Sequence, residues 1–244
     1  MTQQKTTSSS NEGSVALACE ETFAPLPELS DAEVTKRNRA RLGYRAAKRA
    51  FDIAFSAVVL AALMVPGLVL ALAISLDSPG GPVFRQERVG RGGRPMRIFK
   101  FRSMRADAHE HPERYLDEAQ LAAWRREQKV EGDPRVTRLG RFIRKTSIDE
   151  FPQLVNVLMG DMSVVGPRPV TEAETHEFGE HRDLALSVRP GVTGLWQVTE
   201  RNEATWENGD RQRIELEYVR RCGLRMDAGI VVGTLGAMAR KTGR

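Results

Sequence analysis

The chain has 244 residues and a net charge of +5, with 37 basic against 32 acidic side chains. That length holds one ordinary domain with additions, and the charge balance favours anionic partners: nucleic acid, phosphorylated substrates or an acidic membrane face. Cys19 and Cys222 are the only cysteines, which excludes a disulfide framework or a paired-cysteine zinc motif and fits a reducing compartment.

Residues 1–44 read as a disordered tail, polar at "MTQQKTTSSSNEG" and charged and proline-broken at "PLPELSDAEVTKRNRARLG". "SVALAC" is too short for the apolar core of a signal peptide, and no basic segment leads into it. A membrane helix is expected over 45–76. Ile53 to Leu76 are 24 uncharged residues, which as a helix span about 36 Å against a hydrocarbon core of about 30 Å. Pro66, near the middle, removes a backbone hydrogen bond and predicts a kink. Basic residues crowd both flanks, among them Arg45, Lys48 and Arg49 before and Arg85, Arg88 and Arg91 after. Positive charge stays cytoplasmic, so the flanks predict a re-entrant, proline-kinked helix whose halves, about 10 to 13 residues each, are too short to cross. A kinked single-pass anchor is the alternative.

Residues 77–244 read as the soluble part. "VFRQERVG", "RGGRP" and "MRIFKFRSM" predict a β-hairpin with Gly90, Gly92 and Gly93 as turn residues. On its second strand Ile98, Lys100 and Arg102 share one face, so Lys100 and Arg102 are candidates to meet an anion together. "HPERYLDEAQLAAWRREQKV" is helical in composition; His109 and His111 precede or open it with no third ligand at metal spacing, and read as a hydrated loop. Arg135, Arg138, Arg141 and Arg144 recur every three residues beside Val136, Leu139, Phe142 and Ile143. That pattern predicts a helix with a basic and an apolar stripe, suited to lipid headgroups or a phosphorylated substrate.

"TSIDEFPQLVNVLMG" sets two carboxylates, Asp149 and Glu150, before an apolar helix that Gly160 can end. Ser147 and Glu150 match a capping box, and Asp149 is itself a good N-cap with Pro152 in the first turn. A helix N-terminus with Arg144 and Lys145 nearby would keep Asp149 ionised and nucleophilic. An attack on a diphosphate needs its negative charge neutralised, and an adjacent carboxylate can hold the metal that does so. Further on, "TEAETHEFGEHRDLAL" reads as a solvated helix and "VTGLWQV" as a short strand with Trp196 in packing. Two C-terminal helices follow, the last lying on the membrane, with Lys241 and Arg244 at headgroups, or against the domain.

"KRAFDIAFSAVVL", "GPVFRQERVGRGGRPMRIFKFRSM", "TRLGRFIRKTSIDEFPQLVNVLMGDMSVVGPRP" and "VRPGVTGLWQV" occur in this order. Together they resemble the monotopic phosphoglycosyl transferases, the bacterial sugar transferases that prime lipid-linked glycan assembly, from about residue 46 to the C-terminus. The resemblance implies a helix-rich α/β domain with a small hairpin on the cytoplasmic face of the bacterial inner membrane, held by one re-entrant helix broken at Pro66. It implies that Asp149 attacks the sugar-linked phosphate of a UDP-sugar and expels UMP, and that a polyprenyl phosphate, undecaprenyl phosphate by expectation, takes the sugar phosphate from the aspartyl intermediate. Exopolysaccharide, capsule or O-antigen assembly would follow.

Glu150 is then the Mg²⁺ ligand, and Lys100, Arg102, Arg144, Arg168 and Arg189 are candidates to hold phosphates. Under this reading nucleic acid drops out as a partner, while downstream glycosyltransferases and a second copy of the chain stay in. One departure stands out: Val65 replaces the serine that many members carry before the proline, so no hydroxyl is there to satisfy a freed carbonyl. Two competing readings remain: a membrane-associated glycosyltransferase releasing UDP, and a non-enzymatic basic scaffold in which the acids only cap a helix.

Overall fold

The computed structural model describes residues 29–127, 130, 132–199 and 204–239. Most of the expected tail, with Cys19, and both Lys241 and Arg244 lie outside these residues. The part of the tail that is described is helical rather than disordered: α1 spans Asp31–Ala40 behind a capping box made by Ser30 and Glu33. What composition concealed is a set of distant anchors. Asn38 donates to the Val219 carbonyl at 2.9 Å, and Arg220 pairs with Asp31 at 2.9 Å.

The expected membrane helix, α2, runs Leu42–Asp77 with Pro66 inside one continuous helical stretch; it is long and apolar enough to cross a membrane. Its middle shows apolar side chains to the outside, including Val58, Met64, Val65, Leu68, Val69 and Leu72. Both of its ends are bonded to the same folded unit. Near the start, Arg49 donates to the carbonyls of Val157 (2.5 Å) and Leu158 (2.8 Å), and buried Asp52 accepts from Ser163 Oγ (3.0 Å) and Val164 N (2.9 Å). At the far end, Arg102 gathers the carbonyls of Ile74, Ser78, Pro79 and Gly80.

The expected hairpin is present. Strands β1 (Val83–Val89) and β2 (Pro95–Phe101) pair antiparallel in register from Val83 opposite Phe101 to Val89 opposite Pro95. The turn needs its glycines, since Gly92 and Gly93 sit at φ 72° and 76°, where only glycine rests without strain. Among the described residues helix α3 covers Glu118–Glu127; Pro112–Arg114 forms a separate 3₁₀ turn, so the helix begins later than predicted. His109 lies in an exposed turn, as expected, and also contacts the rings of Phe84 and Trp124, centroids 5.3 and 6.4 Å away.

Helix α4 spans Arg138–Lys145 and carries Phe142 exposed beside its arginines. Arg135 is not on its stripe. It lies before the helix, buried, bonded to Asp133 at 2.8 Å and stacked on Trp124. A 3₁₀ turn at Ile148–Glu150 leads into α5 (Gln153–Met159), which Gly160 ends at φ 92° as expected.

Short elements complete the chain: β3 (Ser163–Val165), α6 (Glu172–Thr175), α7 (Arg182–Ala185), β4 (Gly191–Thr193) and α8 (Leu195–Val198). The strand predicted over "VTGLWQV" therefore stops at Thr193, and Trp196 sits on a helical turn. Strand β4 pairs in parallel with β3. The "solvated helix" is two helical pieces and a 3₁₀ stretch with Phe178, Leu184 and Ala185 buried. Helices α9 (Asp210–Arg221) and α10 (Leu224–Ala239) close the core, in which Ile98, Val157, Val165, Val219 and Ile230 are fully buried. Asp227 of α10 accepts from Tyr44 and Lys48 of α2 and from Tyr218, which ties the last helix to the first half of α2. Val232 and Leu235 on its other side remain exposed.

Candidate active site

Asp149 and Glu150 do not cap α5. They belong to the 3₁₀ turn, while Pro152 is the residue that caps α5, without a side-chain bond. Ser147 makes no capping hydrogen bond; instead its backbone is left-handed at φ 57°, a conformation held by no other non-glycine residue described. A strained serine of this kind costs about 1–2 kcal/mol and is characteristic of positions where a chain must turn abruptly to aim the next few side chains. Here it ends the run of α4 and turns the two acids toward the hairpin.

Lys100 meets them there. Its Nζ lies 3.2 Å from Glu150 Oε1, both side chains being mostly buried. The face shared by Ile98 and Lys100 does point inward, as alternation along β2 predicts. The residue that fixes β2 against α5 is one that sequence reasoning missed. Asn156, fully buried in the apolar run "LVNVL", donates to Arg97 O (2.7 Å) and accepts from Phe99 N (3.0 Å), a peptide-like clamp on the strand edge. A lone amide in such a run was the available signal, because a buried amide must find partners.

Arg144 is held on the other side, its Nε donating to Ser103 Oγ at 2.8 Å. The positive charges of Lys100 and Arg144 favour an ionised Asp149, but burial and the neighbouring Glu150 carboxylate win and push its carboxyl up to about 6. The helix-terminus placement is thus corrected: two carboxylates share a half-buried turn at mutual cost, although a carboxyl at about 6 is still mostly ionised near neutral pH. No group of three or more His, Cys, Asp or Glu able to hold a metal occurs among the described residues. A pair of hard oxygen donors still fits magnesium, which takes one or two carboxylates and completes its shell with substrate phosphates and water.

A small cleft of about 10 Å³, room for little more than one water, adjoins Glu150 and is lined by Arg88, Lys100, Glu150, Gln153, Arg168 and Gln197 among others; Asp149 is not in its wall. Arg168 is therefore near the dyad, its guanidinium 5.6 Å from the Trp196 ring centroid. Arg88, read from the sequence only as a flanking charge, is buried in the cleft wall with Nε and Nη1 lacking hydrogen-bond partners, and burial pulls its guanidinium down to about 10. Two predicted phosphate holders are elsewhere. Arg102 is committed to four carbonyls at the end of α2, so it does not join Lys100 at an anion. Arg189 lines a different groove, with Arg45, Arg49 and Arg91.

Behind the cleft, Glu215 is fully buried and accepts from the Arg168 backbone N–H at 3.2 Å; burial pushes its carboxyl up to about 7 despite Arg211 and Arg168 nearby. A carboxyl raised from the ordinary 4.5 stabilises the fold in its protonated form, so its contribution is complete below about pH 4.5 and is lost as pH climbs to about 7. Glu215→Gln is expected to match the parent in stability near pH 4.5. By pH 8 the variant should exceed it by about 3 kcal/mol, because the glutamine cannot ionise. Thermal melts of both proteins across that range check this; parallel curves would show that Glu215 does not titrate in the fold.

Comparison with known proteins shows the family. The family described as "Bacterial sugar transferase" matches residues 43–241. The chain is 41% identical over 208 residues to a UDP-galactose-lipid carrier transferase of Erwinia amylovora, covering 84% of this chain and 43% of that protein. It is 39% identical over 211 residues to an undecaprenyl-phosphate galactose phosphotransferase of Salmonella typhimurium, covering 85% and 44%. An exopolysaccharide production protein, ExoY, of Rhizobium meliloti is 38% identical over 200 residues, covering 81% and 87%. The chain thus spans less than half the length of the first two relatives and most of the third. With the family matched over most of its length and the acidic pair set between Lys100 and Arg144, the chain belongs to the bacterial sugar transferases.

Proposed function

We propose that the protein transfers a sugar-1-phosphate from a UDP-sugar to a polyprenyl phosphate, undecaprenyl phosphate in the cell, at the cytoplasmic face of the inner membrane. The observation that carries this reading is the carboxylate pair held between two cations at a turn that a strained serine aims. Asp149 attacks the sugar-linked phosphorus, a P–O bond to the bridging oxygen breaks, and UMP leaves with that oxygen. The aspartyl phosphate is then attacked by an oxygen of the polyprenyl phosphate, which frees the carboxylate and yields polyprenyl-diphosphate-sugar. The anomeric C–O bond is never broken, so its configuration is kept.

Lys100 pairs with Glu150; the nearness of Arg144, beside Ser103, and of Arg168, in the cleft wall, supports a role for both in taking up phosphate charge. Bound Mg²⁺, with Glu150 as its protein ligand, would supply further neutralisation of the diphosphate. The re-entrant reading of α2 is supported by its two ends being bonded to one folded unit and by its exposed apolar middle. The product would enter lipid-linked glycan assembly and pass to downstream glycosyltransferases.

Purified protein in neutral detergent, given a panel of UDP-sugars and undecaprenyl phosphate, is expected to release UMP with one or few donors. Release of UDP instead would make it a glycosyltransferase that moves the sugar alone, and consumption of no donor would leave the dyad a structural turn.

A further inference from the structure

A second, larger groove lies apart from the catalytic cleft and shares no lining residue with it. Nine basic side chains and four acidic ones line it. Helices α1 and α7 line it, together with the start of α2, the glycine turn between β1 and β2, and the loop carrying Arg189. The turn is pinned in place by Gly92 N, which donates to Leu186 O at 2.7 Å, so Arg91 and Arg94 are held toward the loop. Arg49, also in the wall, bonds the C-terminal end of α5, whereas the dyad precedes its N-terminus. Seven residues of helix, about 10 Å, separate the two places.

The acids in the groove are largely engaged elsewhere. Asp31 is paired with Arg220 and His181, and Asp52 is buried under Ser163 and Val164. Glu180 lies 3.8 Å from His181 Nε2, leaving Asp183 as the fourth. Among the described residues no carboxylate pairs with Arg91, Arg94 or Arg189. Partial burial and repulsion from Arg45, Arg94 and Arg39 make the largely exposed Arg91 guanidinium more acidic than usual; burial, with Arg91, Arg49 and Arg45, does the same to Arg189, against the opposing pull of the Asp52 carboxylate. Cations gathered at such cost are relieved by a ligand with several anionic oxygens. Their depth names its source. Tyr44, Arg45, Lys48, Arg49 and Asp52 line the groove immediately before the uncharged segment starts at Ile53, which is where lipid phosphates lie.

We propose that this groove binds phosphate oxyanions, supplied by the headgroup of an anionic phospholipid, independently of the catalytic dyad. In neutral detergent micelles the full chain is expected to retain phosphatidylglycerol over phosphatidylcholine by native mass spectrometry. Arg91→Gln and Arg94→Gln should each weaken that retention about fivefold. Both side chains are exposed, so the variants should melt with the parent. Arg97→Gln, which removes an exposed pair with Glu87, is expected to change nothing. Inorganic pyrophosphate, titrated by calorimetry, forms the second arm. Binding of pyrophosphate that the two variants weaken, without preference for phosphatidylglycerol, would uphold the anion site and assign it to a soluble ligand. Equal lipid retention by parent and both variants, or none above phosphatidylcholine together with no pyrophosphate binding, overturns the proposal. Because UMP release is not the readout, these results stand or fall apart from the catalytic reading.

Discussion

Asp149→Asn is expected to lower UMP release by at least about a thousandfold while leaving the protein at least as stable as before. The amide is the same size and can occupy the same turn, but its oxygen carries no charge to offer to phosphorus. Stability should hold because the parent side chain is a half-buried acid repelled by Glu150, its carboxyl pushed up to about 6. Removing that charge relieves a penalty and empties no space. A loss of activity through unfolding would show as a lower melting temperature, so the two measurements separate chemistry from damage. The companion experiment is to quench the parent mid-turnover with radiolabelled donor and map the label; it should fall on the peptide containing Asp149. Parent-like turnover by the variant would remove Asp149 from the nucleophile's role.

The second large effect is expected at a residue with no chemistry at all. Gly140 lies in the first turn of α4, its N–H capped by Thr137 Oγ1 at 2.9 Å. A Cβ there would sit 1.9 Å from the Ser103 carbonyl oxygen and 2.7 Å from its carbon. Alanine normally favours a helix over glycine by about 1 kcal/mol, but an overlap with backbone cannot be relieved by a rotamer change and costs about 1–3 kcal/mol or more. Ser103 O also accepts the Thr137 N–H at 3.1 Å, and Ser103 Oγ holds Arg144. Gly140→Ala should therefore lower the melting temperature by several degrees, roughly 2–4 °C per kcal/mol for a chain of this size, and reduce turnover at the same time. A variant that melts and turns over like the parent would mean that α4 and Ser103 part without consequence.

Period-two alternation made the hairpin legible, with Lys100 on its inner face, and an uncharged run made α2 legible. The acidic pair stood out because it sat beside arginines, and the structure keeps Lys100, Arg144, Arg168 and Glu150 around it. Local patterns failed where distant partners decide. "TSIDE" satisfies a capping box on paper, yet the chain takes a left-handed serine and a 3₁₀ turn, because the acids face Lys100, some 50 residues earlier. Arg102 and Lys100 share a strand face, but the strand ends at Phe101 and the next guanidinium is drawn to a helix terminus with unsatisfied carbonyls. Nothing in a periodicity reports that Asn38 will meet Val219 or that Arg189 will meet Arg91.

Arg102 has one more implication. The residue that collars the last carbonyls of α2 lies two positions beyond the lysine that contacts Glu150. The far end of α2 and the end of β2 are thereby riveted together. Under the re-entrant reading, a shift of the helix exit would be carried across two peptide units to the Lys100 ammonium group beside Glu150.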